Sequence, residues 1–288
     1  MDGSSGGDVY VTYQMMDDPW CPACPKQLMM NEVKTINGGV TITGNQASGV
    51  EAIGVMSTAT GNNPVIVGHD GNDQNGYIAL VDNGTGNVQA ATALPWAADG
   101  VAVVLNDTND NGEADSNENW TAYVSSKTNN QDEVKIRSFT VNYQTGWSII
   151  DNNDSVGLWP YNGPIKDIAY NPDSTPGNIK LVGAERSSTG GGETYIDTIE
   201  LSNYYIQDSQ DAEQTWDQNC SGDGCWWDPF YNMVGMATIV EGGVNVIYAL
   251  TDGGDLFAAT LTSGPAALTG SGVAKRPTFI TKDATDNA

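Results

Sequence analysis

Short runs of β-branched and aromatic residues, each bounded by Gly, Asn, Asp or Pro clusters, recur along the whole chain, while the 3.6-residue spacing of an amphipathic helix is nearly absent. The pattern predicts an all-β fold. The clearest runs begin at Val9, Val65, Trp120, Ile179 and Val244, so one recurs every 55 to 65 residues. A unit of that length with about four strands points to the blades of a β-propeller, loop insertions accounting for the excess over the roughly 40 to 50 residues of such repeats.

Taking those runs as second strands orders the rest. Inner strands are expected at 50–55, 101–105, 165–170 and 234–239. Third strands are expected at 77–81, 134–141, 195–201 and 256–261, and weaker outer strands at 88–93, 147–150, 205–207 and 267–269. The N-terminal segment offers a second strand at 9–13, a third at 32–36 and a fourth at 40–43 but no inner strand, which 278–282 would supply. The expectation is therefore one domain, 1–288, of five four-stranded blades closed by both chain ends, with 1–7 a flexible leader. Closure from both ends leaves no open sheet edge to recruit other chains. Six blades, or a two-sheet sandwich of hairpins, are the competing arrangements.

The strongest local motif lies between the inner and second strands of one unit. Asp107-Thr-Asn109-Asp-Asn111-Gly112-Glu113-Ala-Asp115-Ser-Asn-Glu118 matches the calcium-loop pattern D-x-[DN]-x-[DN]-G with a Glu at position 12. Side-chain oxygens of Asp107, Asn109 and Asn111, the main-chain carbonyl of Glu113, and the carboxylates of Asp115 and Glu118 suit one hard Ca²⁺, and Gly112 permits the sharp turn. Mg²⁺ demands a smaller octahedral shell. Because both flanks are β-type, a calcium hairpin is expected rather than a helix-loop-helix, an ion-free acidic turn being the alternative. In this loop the chain resembles the FG-GAP blades of integrin-type propellers and, more loosely, the propellers of type IV pilus-tip adhesins. The resemblance covers about one blade. It implies an extracellular, calcium-stabilised fold, and the Ser116-Asn-Glu118-Asn insertion leaves open whether Asp115 or Glu118 completes the shell.

Charge narrows the partners. Eleven Lys and Arg face 36 Asp and Glu, a formal net charge of -25, which repels nucleic acid and anionic lipid and attracts cations. No apolar run reaches the roughly 18 residues of a membrane-spanning helix. The first residues, Met1-Asp-Gly-Ser-Ser-Gly-Gly, lack the regions of a signal peptide and are expected to be a mature or engineered start. Cys21, Cys24, Cys220 and Cys225 form two close pairs that suggest disulfides in an oxidising compartment, a Cys₄ zinc site being the alternative. Five Asn-x-Ser/Thr sequons, at Asn83, Asn106, Asn119, Asn153 and Asn219, fit exposed loops.

Trp96, Trp159 with Tyr161, and Trp226-Trp227 precede successive inner strands. They can stack on a glycan at the mouth of the ring, or pack between blades. No nucleophile elbow, phosphate loop, dinucleotide fingerprint or zinc-protease motif occurs. His69 reads as a partly exposed turn residue, and Asp70 to Gly76 as a hairpin turn. Glu51, Asp99 and Asp167, in or just before inner strands, are the catalytic candidates for glycoside cleavage by paired carboxylates. The function expected first is an extracellular or cell-surface module without catalysis, binding glycan, a protein surface or copies of itself in a filament or pilus. A secreted glycoside hydrolase or lyase is the second.

Overall fold

In a computed structural model the apolar runs become strands paired in antiparallel order. The structure describes the backbone of residues 9–16, 27–35, 41–42, 45–58, 61–70, 74–109, 114–127, 133–158, 165–170, 180–186, 194–201, 205–211, 233–241, 244–251, 256–261 and 268–269, and side chains within 50–56, 63–69, 74–109, 114–127, 133–155, 157, 165, 167–170 and 201. Three sheets are four-stranded meanders: β8 (Ala98–Leu105), β9 (Trp120–Ser126), β10 (Val134–Asn142) and β11 (Ser148–Leu158); β12 (Ile165–Tyr170), β13 (Lys180–Arg186), β14 (Thr194–Glu200) and β15 (Tyr205–Asp211); β16 (Met233–Glu241), β17 (Val244–Thr251), β18 (Leu256–Leu261) and β19 (Leu268–Thr269). A fourth comprises β4 (Asn45–Thr58), β5 (Gly61–Asp70), β6 (Gly76–Val81) and β7 (Val88–Leu94), extended by β3 (Thr41–Ile42). β1 (Val9–Met16) pairs with β2 (Gln27–Thr35) alone.

The first strands of successive sheets lie side by side: β4 packs on β8, β8 on β12, and β12 on β16. That order is compatible with propeller blades. The β8–β11 sheet buries both faces against its neighbours, and strands enclosed in this way, such as β6, buried at every position, read as continuous apolar runs. Val65, Val67, Ile78 and Leu80 join Val101, Trp120, Ala122, Val124, Phe139 and Val141 in one core between the β4–β7 and β8–β11 sheets. Ala102, Tyr123, Val134 and Ile136 turn the other way, onto Ile165 and Ile168. Burial there, together with nearby Tyr170 and Asp154, pushes the Tyr123 phenol up to about 12.

Two features differ from the strand pattern. The segment expected as an outer strand at 40–43 pairs through β3 with the start of β4, Thr41 opposite Gln46, and not with β2. A two-residue strand beside a tight turn is too short for its periodicity to reveal its partner. The other feature is a repeat of structure: in β4, β8, β12 and β16 the ladder skips a residue, at Glu51, Asp99, Lys166 and Val234, and β4 skips Ser48 as well. Such bulges sharpen local twist where strands crowd. The segment 278–282, expected to close a fifth blade, and the leader 1–7 lie outside the described residues. Among the described residues no helix is long and apolar enough to cross a membrane.

Stacking at this density needs small residues where backbones meet. A Cβ on Gly54 would collide with the Val103 side chain, and one on Gly100 would lie 2.7 Å from Ser125 Oγ, 2.9 Å from Ile168 N and 3.0 Å from Asp167 Cα. Backbone atoms of the next sheet cannot yield. Gly100→Ala is therefore expected to lower unfolding free energy by about 1 to 3 kcal/mol, whereas Gly84→Ala in an exposed turn stays within about 0.5 kcal/mol; urea denaturation of both variants measures the contrast.

Candidate functional site

The sheets present two ends with different chemistry. At one end the β8–β9 connection forms a closed loop. Asn106 N donates to Asn119 O at 2.8 Å, the Asn106 side-chain amide donates to Asn119 Oδ1, and Thr121 Oγ1 donates to Asn106 Oδ1 at 3.0 Å. These bonds engage both side chains of the sequons at Asn106 and Asn119. Inside the neck, Asp107 Oδ1 accepts from Asn109 N at 3.2 Å, and Asn109 Nδ2 donates to Asp115 Oδ2 at 2.6 Å. Positions 1, 3 and 9 of the motif thus gather oxygen-bearing side chains, whereas Asn111 and Glu113 lie outside the described residues.

Glu118 holds the two limbs together. Its Oε1 accepts from Thr108 N at 2.7 Å and Thr108 Oγ1 at 2.8 Å, and its Oε2 accepts from Asp115 N at 3.0 Å. The residue is 1% exposed. The bonds from Asp115 N, Thr108 N and the Thr108 hydroxyl hold its carboxyl below the ordinary value of 4.5. Both oxygens are thus engaged by protein donors. Among the described residues no three His, Cys, Asp or Glu side chains gather into a metal-binding group; Asp107, Asn109 and Asp115 bring together two carboxylates and an amide. Such an all-oxygen set fits Ca²⁺ chemically.

The β10–β11 turn props this loop from the side. Asn142 Nδ2 donates to Glu118 O at 3.2 Å and Gln144 Nε2 to Ala114 O at 3.1 Å. Tyr143 stacks on Trp120, centroids 5.4 Å apart at 22°, and meets Trp147 at 5.6 Å and 33°. Gly146, at φ +131°, completes a turn that disfavours side chains. Nothing in the loop's own pattern flags Asn142, Tyr143 or Gln144, because they arrive from another hairpin.

The opposite rim collects the starts of β4, β8 and β12 with the ends of β5 and β9. His69 is not the partly exposed turn residue that its sequence context suggests: it is 8% exposed, with Nε2 2.6 Å from Glu51 Oε1 and 3.0 Å from Lys127 Nζ. The difference arises because β5 runs on to Asp70 and carries the imidazole under the neighbouring sheet. The same nitrogen either donates to the Glu51 carboxylate, a bond within the β4–β7 sheet, or accepts from the Lys127 ammonium, which ties that sheet to the end of β9. Lys127 also anchors its backbone, its N donating to Ala97 O at 2.7 Å. Scarcity was the one available signal for it, since the chain has only 11 Lys and Arg.

Asp99 and Asp167 lie on adjacent first strands at this rim, 8% and 7% exposed, and Asp167 Oδ1 accepts from Ile168 N at 2.8 Å. Trp96 is partly buried against the core shared by the β4–β7 and β8–β11 sheets, a packing role at the sheet junction. Trp159, Tyr161, Trp226, Trp227 and Cys21, Cys24, Cys220 and Cys225 lie outside the described residues.

No family model and no curated protein sequence matches the chain. Among solved structures it is similar to a Kuenenia stuttgartiensis hydrazine synthase, at 11% identity and a TM-score of 0.43, covering 92% of this chain and 65% of the other. It is also similar to an exo-beta-1,3-galactanase from Phanerochaete chrysosporium with beta-1,3-galactotriose, at 11% identity and a TM-score of 0.44, covering 94% and 65%. The chain thus spans less than two thirds of either protein. Likeness at this level carries no argument about site or activity, so function must be read from topology and side-chain geometry.

Two outcomes are expected. Glu118→Ala strands the N–H groups of Thr108 and Asp115 and lowers the melting temperature in chelator as well as in calcium, as differential scanning fluorimetry reads. His69→Ala weakens the link between sheets by about 1 kcal/mol, since one partner is partly exposed, as urea titration measures.

Proposed function

We propose that the chain is a calcium-stabilised β-propeller of five blades, closed by its two ends, that acts outside the cell or on its surface as an adhesion or filament-assembly module recognising glycan or protein. The observation that carries this is the β8–β9 loop, where Asp107, Asn109 and Asp115 converge while Glu118 is occupied in bracing the limbs. On this reading Asp115 rather than Glu118 completes a Ca²⁺ shell with Asp107, Asn109, Asn111 and the Glu113 carbonyl. The ion staples a long insertion and takes no part in chemistry.

The opposite rim supports a binding module over an enzyme. Glu51 is engaged by His69, and Asp167 bonds the main chain of its neighbour, so these two of the three candidate acids have hydrogen-bond partners in the fold. The second reading, glycoside hydrolysis or lysis by channel carboxylates, draws on one observation: Glu51, Asp99 and Asp167 do occupy first strands at a common rim.

Calcium at about 100 times its Kd is expected to raise unfolding free energy by about 2.7 kcal/mol, an effect reversed by chelation, lost in Asp107→Ala and Asp115→Ala, and retained in Glu118→Ala. Calcium-independent melting of the wild type overturns the staple. Glycan-array binding without turnover, or filaments in negative-stain images, supports the module; hydrolysis lost in Glu51→Gln or Asp167→Asn establishes the enzyme instead.

A further inference from the structure

Gln144 does something its own hairpin does not require. Its Nε2 reaches back to the main-chain oxygen of Ala114, at position 8 of the loop motif, 3.1 Å away. That carbonyl fixes the orientation of the amide, because exchanging its nitrogen and oxygen would set two acceptors against each other. The other end, Oε1, is buried and accepts no hydrogen bond. A buried amide oxygen without a donor is unfavourable, and native folds seldom keep one without a reason.

The surroundings hold this oxygen in place. Thr145 N donates to Asn142 Oδ1 at 3.2 Å, Asn142 Nδ2 in turn grips Glu118 O, and Tyr143 lies between Trp120 and Trp147. The amide is thus presented to the loop by a turn in which Asn142 and Tyr143 are themselves held. Hard divalent cations take Gln carbonyl oxygens as readily as Asn ones. Glu118, the motif's own position 12, has both oxygens committed to N–H and O–H donors, which leaves room in the shell for a ligand from elsewhere.

We propose that Gln144 Oε1 is a calcium ligand supplied from outside the 107–118 motif, a step that rests on reading the loop as a calcium site. The ion then joins the β8–β9 loop to the β10–β11 turn and ties all four strands of the sheet at one end.

Terbium, a luminescent stand-in for Ca²⁺, separates a ligand from a mere buttress. Sensitised emission reports binding, and lifetimes in light and heavy water count the waters on the ion. Gln144→Ala is expected to weaken calcium competition by about tenfold or more and to add a bound water. Gln144→Met, similar in volume and lacking the oxygen, takes the place of the alanine variant if that one fails to fold. An unchanged water count in the Ala or Met variant overturns the ligand role even if affinity falls. A wild type that binds neither terbium nor calcium overturns the underlying loop reading instead, so the two failures are distinguishable.

Discussion

Everything in this molecule depends on β-sheets packing face to face without a gap. The β8–β11 meander is apolar on both sides, so it is not stable alone, and its first strand must lie against the first strands of its neighbours. That approach is tight along the first strands. There the chain places Gly100, whose missing side chain lets Ile168 N and Asp167 Cα come within 3.0 Å of where a Cβ would be. There too it inserts a bulge in each of four sheets, at Glu51, Asp99, Lys166 and Val234. The bulges and glycines serve one requirement: strands that twist must still stack.

That requirement pushes polar chemistry to the ends of the strands, and the two ends use it differently. At the rim, Glu51, His69 and Lys127 form a chain of contacts between sheets, spending one of few cations on a junction. At the loop end, the described residues 105–109 and 114–121 include no Lys, Arg or His to offset Asp107, Asp115 and Glu118. Neutral amides take that place: Asn109 faces Asp115, Asn106 faces Asn119, and Asn142 and Gln144 donate to main-chain oxygens of the loop. Amides both donate and accept, so they can hold the loop in shape while still offering oxygen to an ion.

How far the sequence discloses this varies with the range of the interaction. Nearly every described strand is legible, because β-branched runs such as 65–68, 120–124 and 244–250 depend only on neighbours a few residues away and stand between strong turn signals. β3 is misread for the opposite reason: two residues carry no period, and their partner is set by the turn after them. The motif residues Asp107, Asn109 and Asp115 are legible through spacing, and they do converge. The role of Glu118 is not, since a carboxylate at position 12 looks alike whether it meets an ion or two backbone N–H groups. His69 is misjudged because its neighbours Glu51 and Lys127 lie 18 and 58 positions away. Gln144 leaves no local trace at all, being joined to the loop across 30 positions.

Net charge gives the loop its wider consequence. With 36 acids against 11 bases, self-repulsion opposes compaction everywhere on the surface, and salt screens it only partly at physiological strength. A buried carboxylate such as Glu118 escapes that cost by accepting three hydrogen bonds, which is why its proton affinity falls although it sits beside other acids. Asp107 and Asp115 are half-buried and converge on Asn109, which donates to the first through its backbone and to the second through its side chain. If the loop takes the divalent cation proposed for it, that ion would sit beside two carboxylates that Asn109 already draws together. Pre-organisation of this kind would let such an ion stabilise the fold without having to build it.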